Sequence, residues 1–283
     1  MTTELPEYFS ESTLKPELVR LLPSFLRDVV PIICQYSTLY LEIHLDQHDD
    51  CSGKDVQKIF PTMSSKLWDS ISISNGVLSL NSDTQIIGEE FCQVFSGVSM
   101  FGTQALEYTM DIGCNRAMYN RGLGVYFAPV DADEKKISAR VSGVNRICYH
   151  PGMAGAQLRV EGNGGFANKN FGWEPQATEN GTCLQTLTCV LVAGGVHTLI
   201  LSSADGKTKS CCEWTNPKLV KRTKEGRYEF PKWGMYPSDM RGAPGAKVYY
   251  SSFNVRPLAT SRSRSFLSDI SFPSATPIFK KRI

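Results

Sequence analysis

Apolar positions recur at helical spacing near the start of this chain and at strand spacing beyond residue 120. Between Lys15 and Val30, residues Leu18, Leu21, Leu22, Phe25, Leu26, Val29 and Val30 follow a helical period. Pro16 suits the first turn of such a helix, and Pro23 kinks or splits it. TLYLEIHL, residues 38–45, alternates and is β-branched or aromatic, which predicts a strand. A short helix is expected over 54–69, interrupted near Pro61. A second is expected from Glu89 to about Met110, weakened by Gly97 and Gly102. Later the apolar runs shorten and are punctuated by glycine and proline. They predict strands near 123–128, 137–149, 156–161, 183–193, 195–202, 208–214 and 246–255. Ala204-Asp205-Gly206-Lys207 is a hairpin turn signal, and 162–181, rich in Gly and Asn, reads as a long surface loop. There is no internal repeat.

These elements predict an α+β, β-dominated fold: N-terminal helices followed by an antiparallel sandwich or jelly-roll-like β region. Residues 1–12 are expected to be disordered. Residues 13–256 are expected to form a single domain, helical to about residue 110 and β-rich after it, and 257–283 a basic Ser/Pro/Arg-rich tail. A chain of 283 residues can bury a substantial core. With 41% hydrophobic and 20% charged residues, the composition is that of an ordinary globular protein. No apolar run approaches the roughly 18 residues of a membrane span. MTTELPEYFSES carries acids and no apolar stretch, so the expectation is an intracellular, cytoplasmic protein with access to the nucleus, not a secreted one. The nine cysteines contain no C-x-x-C pair, which in that setting predicts reduced thiols. Asn180-Gly181-Thr182 then reads as a turn.

Charge is unevenly spread. Residues 1–55 carry four Lys/Arg against ten Asp/Glu, whereas residues 206–283 carry sixteen against five. Within 207–256, eleven cations are interleaved with aromatic residues, a combination that suits RNA or single-stranded DNA. Lys218, Lys221, Arg222, Lys224 and Arg227 are the candidate phosphate contacts, and Trp233 and Tyr236 the candidate stacking platforms. The expected function is therefore a non-enzymatic binding and assembly protein engaging nucleic acid, of the viral coat, matrix or movement type. A homo-oligomer, an acidic protein and an anionic membrane surface are further partners that this charge and texture allow, and a purely structural, self-associating protein is a third reading.

One stretch points elsewhere. NRGLGVYFAP, residues 120–129, resembles the glycine-rich, tyrosine-bearing turn of the ADP-ribosyltransferase families, with Gly122, Gly124, Tyr126, Phe127 and Ala128 matching. The resemblance implies an NAD-using enzyme, in which Gly124 and Tyr126 line the cofactor site, Tyr126 stacks on nicotinamide, and Glu161 polarises the ribose. The family's histidine, in His-Gly-Thr/Ser, is replaced by Phe101 of Phe101-Gly102-Thr103. Phenylalanine cannot make that ribose hydrogen bond, so this alternative takes the form of a degenerate enzyme. The residues themselves also fit a buried strand with Tyr126 and Phe127 on opposite faces. His44-Leu45-Asp46-Gln47-His48-Asp49-Asp50-Cys51 collects metal-ligand types, but the extended pattern before it predicts a strand end and polar turn. His150 and His197 read as structural histidines. Under the preferred reading no catalytic residue, cofactor or metal is expected.

Overall fold

The computed structural model describes residues 41–48, 51–60, 70–81, 92–100, 102–118, 123–133, 144–151, 157–162, 167–170, 173, 175–236 and 244–258. The helix expected over 15–30, the disordered N-terminus and the basic tail beyond 258 lie outside the described residues. Strand β1 (Leu41–Ile43) leads through a 3-10 turn (Leu45–His48) to β2 (Cys51–Ser52) and the short helix α1 (Lys54–Ile59). Next come β3 (Ile71–Ser74), β4 (Val77–Asn81), β5 (Cys92–Phe95), β6 (Val98–Met100) and β7 (Ala105–Cys114). Then follow β8 (Leu123–Ala128), β9 (Asn145–His150), β10 (Gln157–Glu161) and β11 (Ala167–Asn170). The last third holds β12 (Gln185–Val192), β13 (Val196–Ser202), β14 (Lys209–Thr215), β15 (Lys221–Arg222), β16 (Tyr228–Phe230), β17 (Lys232–Tyr236) and β18 (Lys247–Pro257).

Every pairing among these strands is antiparallel. A nine-stranded sheet runs β14-β13-β12-β7-β18-β4-β3-β2, with β1 also on β18, and a six-stranded sheet runs β11-β10-β9-β8-β17-β5. A third, small sheet joins β15, β16 and β6. The two large sheets share one core. Tyr108 of β7 meets Phe127 of β8 edge-on at 5.0 Å and Trp233 of β17 at 5.5 Å, and Trp233 meets Phe253 of β18 at 6.1 Å. Such edge-to-face contacts add about 0.5–1.5 kcal/mol each to the burial itself. The Tyr250 hydroxyl crosses between sheets too, donating to the Tyr236 carbonyl at 2.9 Å.

The expected β-dominance and antiparallel sheets are present; the expected helix from Glu89 to Met110 is not. The described residues of that stretch, 92–100 and 102–110, hold β5, β6 and the first half of β7. Gly97 turns the chain between β5 and β6 at φ 82°, where a Cβ would lie 2.7 Å from the Phe230 carbonyl oxygen. In β7, Leu106, Tyr108, Met110, Ile112 and Cys114 all enter the core, a period of two rather than 3.6. Of the helix expected over 54–69, α1 covers 54–59, and 61–69 lie outside the described residues. The loop expected over 162–181 includes a strand, β11. The hairpin predicted at Ala204–Lys207 joins β13 to β14. None of the seven described cysteines outside β5 forms a disulfide.

A buried polar network ties the sheets together at β14. Asn145 Oδ1 accepts from Trp214 Nε1 at 3.2 Å and from Asn216 Nδ2 at 2.6 Å, and the Asn216 carbonyl accepts from His197 Nε2 at 3.0 Å. His197 Nδ1 accepts the Val192 N–H at 3.2 Å, which fixes the neutral tautomer. Burial lowers the pKa of His197 below its ordinary 6.5, against a smaller opposing effect of the Asn216 carbonyl. The unfolded chain then takes up a proton that the folded ring resists, so stability is full above about pH 6.5 and falls as pH drops. Urea midpoints are expected to decline between about pH 7 and pH 5, and His197→Gln is expected to be less stable at pH 7 with a shallower decline. An equally steep decline in the variant would assign the effect to other groups.

A candidate ligand-binding face

Alternation along β8, β9, β10 and β17 divides the six-stranded sheet into two faces. Leu123, Val125, Phe127, Ile147, Leu158, Val160, Trp233 and Met235 enter the main core. The intervening positions face the other way, where Tyr126, Ala128, Cys148 and Tyr236 form a second small cluster with Val144. Strand register aligns this outer face in rows. Gly234, Tyr126, Arg146 and Glu161 form one row, and Tyr236, Gly124, Cys148 and Arg159 the next. His150 opposes Gln157 one step further on.

Arg146 is the hub. Its Nη1 donates to the Tyr236 hydroxyl at 2.9 Å, its Nη2 bonds Glu161, and its guanidinium lies 5.0 Å above the Tyr236 ring. Arg159 Nη1 approaches Glu161 Oε1 at 3.5 Å, so one carboxylate sits between two guanidinium groups. Two permanent positive charges thus face one negative charge. Three buried nitrogens on this face have no hydrogen-bond partner among the described residues: Arg146 Nε, Arg159 Nε and His150 Nδ1. Burial, and after it the Arg159 charge, brings His150 down to about 4, so its imidazole is neutral at pH 7. Burial pushes the Cys148 thiol up to about 12, which leaves it protonated and a poor nucleophile. Lys232 stands at the β17 end of the face, its Nζ donating to the Ala132 carbonyl at 2.8 Å. No cluster of three or more potential metal ligands occurs among the described residues. In the His44–His48 stretch, His44 pairs with Glu42 at 3.6 Å.

Of the residues singled out in the sequence, Tyr236, Gly124, Tyr126 and Glu161 are brought together on this face. Lys218, Lys221, Arg222, Lys224 and Arg227 lie elsewhere, around the β15–β16 hairpin. Lys221 pairs with Asp131 at 3.2 Å, and Arg222 lies 6.0 Å from the Tyr228 ring. Arg146, Arg159, His150 and Gln157 were not singled out as ligand-binding residues. Their signal was present in RICYH and QLRVE, where polar and apolar residues alternate on what become adjacent strands.

No family model and no curated protein sequence matches this chain. Several solved structures are similar in shape. The alginate lyase Aly36B gives a TM-score of 0.49 at 12% identity, covering 77% of this chain and 96% of that one. The PL-14 alginate lyase from Aplysia kurodai gives 0.44 at 12% identity, covering 74% and 98%. Lectin I from Ulex europaeus, in complex with a methyl glycoside of α-L-fucose, gives 0.43 at 12% identity, covering 77% and 98%.

The RNA or single-stranded DNA partner, and with it the viral coat, matrix or movement role, does not stand. The proposed stacking platforms are closed, Trp233 at 1% and Tyr236 at 5% exposed, and Lys221 among the proposed phosphate contacts is paired with Asp131. An aromatic ring packed on its own protein has no face for a base. The ADP-ribosyltransferase alternative fails for the same reason. Tyr126 is 1% exposed and packs edge-on against Tyr236 at 4.9 Å, and Glu161 is held by two arginines.

Proposed function

We propose that the outer face of the six-stranded sheet binds an acidic saccharide, one whose sugar rings carry carboxylates. The observation behind this reading is Glu161 lodged between Arg146 and Arg159, while both Nε donors remain unpartnered. The protein's own carboxylate marks the complement of the site, and the surplus positive charge favours a second anion there. His150 and Gln157, one step along the same face, are hydroxyl partners of the kind a sugar needs. The test is calorimetric titration with alginate oligosaccharides at low and high salt. Binding that weakens as salt rises is expected; no binding at low salt would refute the proposal.

A second reading is favoured by the neutral His150 with its unpartnered Nδ1. On a bound uronate, this nitrogen would take the proton beside the carboxylate while an arginine holds the carboxylate charge. The C–H electron pair would become a C=C bond, the C–O bond to the neighbouring sugar would break, and the departing oxygen would gain a proton. An increase in ultraviolet absorbance on incubation with alginate checks this. Binding without any such increase would leave a lectin-like protein.

A further inference from the structure

A separate cleft of about 510 Å³ opens where β12 begins and the β13–β14 hairpin turns. It is lined by Trp173, Cys183, Gln185, Asp205 and Thr208, among others, and by none of the residues on the arginine face. Its size falls in the range of small-molecule sites, roughly 300–1,000 Å³.

The walls are built rather than incidental. Trp173 packs against the core, and its Nε1 donates to Ser210 Oγ at 3.1 Å, which pins the indole to β14. Gln185 is 1% exposed, with its amide nitrogen donating to the carbonyls of Gln176 at 3.3 Å and Cys183 at 3.2 Å. The turn holding Asp205 is closed by Ser203 N to the Thr208 carbonyl at 2.8 Å and by Thr208 N to Ser203 Oγ at 3.0 Å. Ser203 Oγ donates to Asp205 Oδ1 at 2.6 Å, as does Lys207 N at 3.1 Å. The Ser203 hydroxyl first, then the Lys207 amide, hold this carboxyl below its ordinary range, so it is ionised at pH 7.

We infer that this cleft binds a neutral hexopyranoside, at a site independent of the arginine face. An indole offers an apolar plane for the C–H face of a sugar ring, and an ionised carboxylate accepts from two adjacent hydroxyls. The only formal charge among the lining residues is negative, which disfavours uronates. Lys207, whose Nζ lies 3.4 Å from Asp205 Oδ2, is outside the lining and neutralises part of that charge. The walls are held in place before the ligand arrives, which lowers the ordering cost of binding.

Cys183 supplies a readout, because its exposed thiol lies on the cleft wall. Its alkylation rate, followed peptide by peptide by mass spectrometry, is measured with and without methyl galactoside, methyl glucoside, methyl mannoside and methyl fucoside. At least one of these is expected to slow Cys183 alkylation several-fold. The slowing should be lost in Asp205→Asn and in Trp173→Ala, weakened in Trp173→Phe, which keeps an aromatic filler, and retained in Arg146→Ala. No slowing by any hexoside overturns the proposal. So does slowing that persists in both Asp205→Asn and Trp173→Phe, or slowing by simple amines but not by sugars. Because Arg146 is not part of the cleft, failure of the arginine-face reading leaves this result unchanged.

Discussion

Gly124→Ala is expected to destabilise the fold by about 3 kcal/mol or more, beyond the usual cost of one added methyl group in a packed interior. A Cβ at this position would lie 1.8 Å from the Ile147 carbonyl oxygen and 2.8 Å from its carbon, both backbone atoms of β9. A side chain could swing away, but a paired strand cannot without breaking its ladder, so β8 and β9 would have to separate. Tyr250 makes this worse, because its hydroxyl bonds the neighbouring Tyr236 carbonyl and lies 3.3 Å from that of Gly124. Gly206→Ala is the control. Gly206 sits at φ 69° in open space, so alanine there costs backbone strain alone, about 1–2 kcal/mol. Urea midpoints of the two variants give the comparison. A Gly124→Ala midpoint at or above that of Gly206→Ala would mean that the two strands are not packed this closely. The glycine that made this stretch look like a nucleotide turn is explained by strand approach.

How much of this could be read from the sequence depended on whether a signal was local. The β13–β14 hairpin was legible because its turn residues and flanking alternation sit within a few positions of each other. β7 was misread although its alternation is in the sequence: Leu106, Tyr108, Met110, Ile112 and Cys114 alternate with Glu107, Thr109, Asp111 and Gly113. The expected helix ended at Met110, in the middle of that run, and a window closed there holds too few alternating positions to separate a strand from a helix. The site failed to show for a related reason. Tyr126, Arg146, Glu161 and Tyr236 meet only through strand register, across separations of up to 110 residues that no local pattern records. The excess of cations in the last third was real but misleading as a ligand signal. Lys221 is engaged by Asp131 and Lys232 by the Ala132 carbonyl, whereas the pair that faces a single carboxylate, Arg146 and Arg159, lies outside that third.

Arg146→Ala and Arg159→Ala are each expected to weaken acidic-saccharide binding about 10- to 100-fold, the scale of one charge-assisted hydrogen bond of roughly 1.5–3 kcal/mol. Arg146→Lys should recover only part of the loss. A lysine keeps the charge but not the planar fork that reaches Tyr236 and Glu161 together. Lost affinity alone would not show that the arginines touch ligand, since Arg146 also orders the face around Tyr236. Glu161→Gln separates the two roles. If the Glu161 carboxylate is an internal occupant of an anion site, removing its charge frees both guanidinium groups, and affinity should rise about tenfold at low salt. The gain should fade as salt rises, because it is electrostatic. If Glu161 instead positions the arginines for ligand, Glu161→Gln should weaken binding as much as loss of an arginine does, and the occupant model would be wrong. Alginate oligosaccharide titrations of the parent, Arg146→Ala, Arg159→Ala and Glu161→Gln at two salt concentrations are enough to decide.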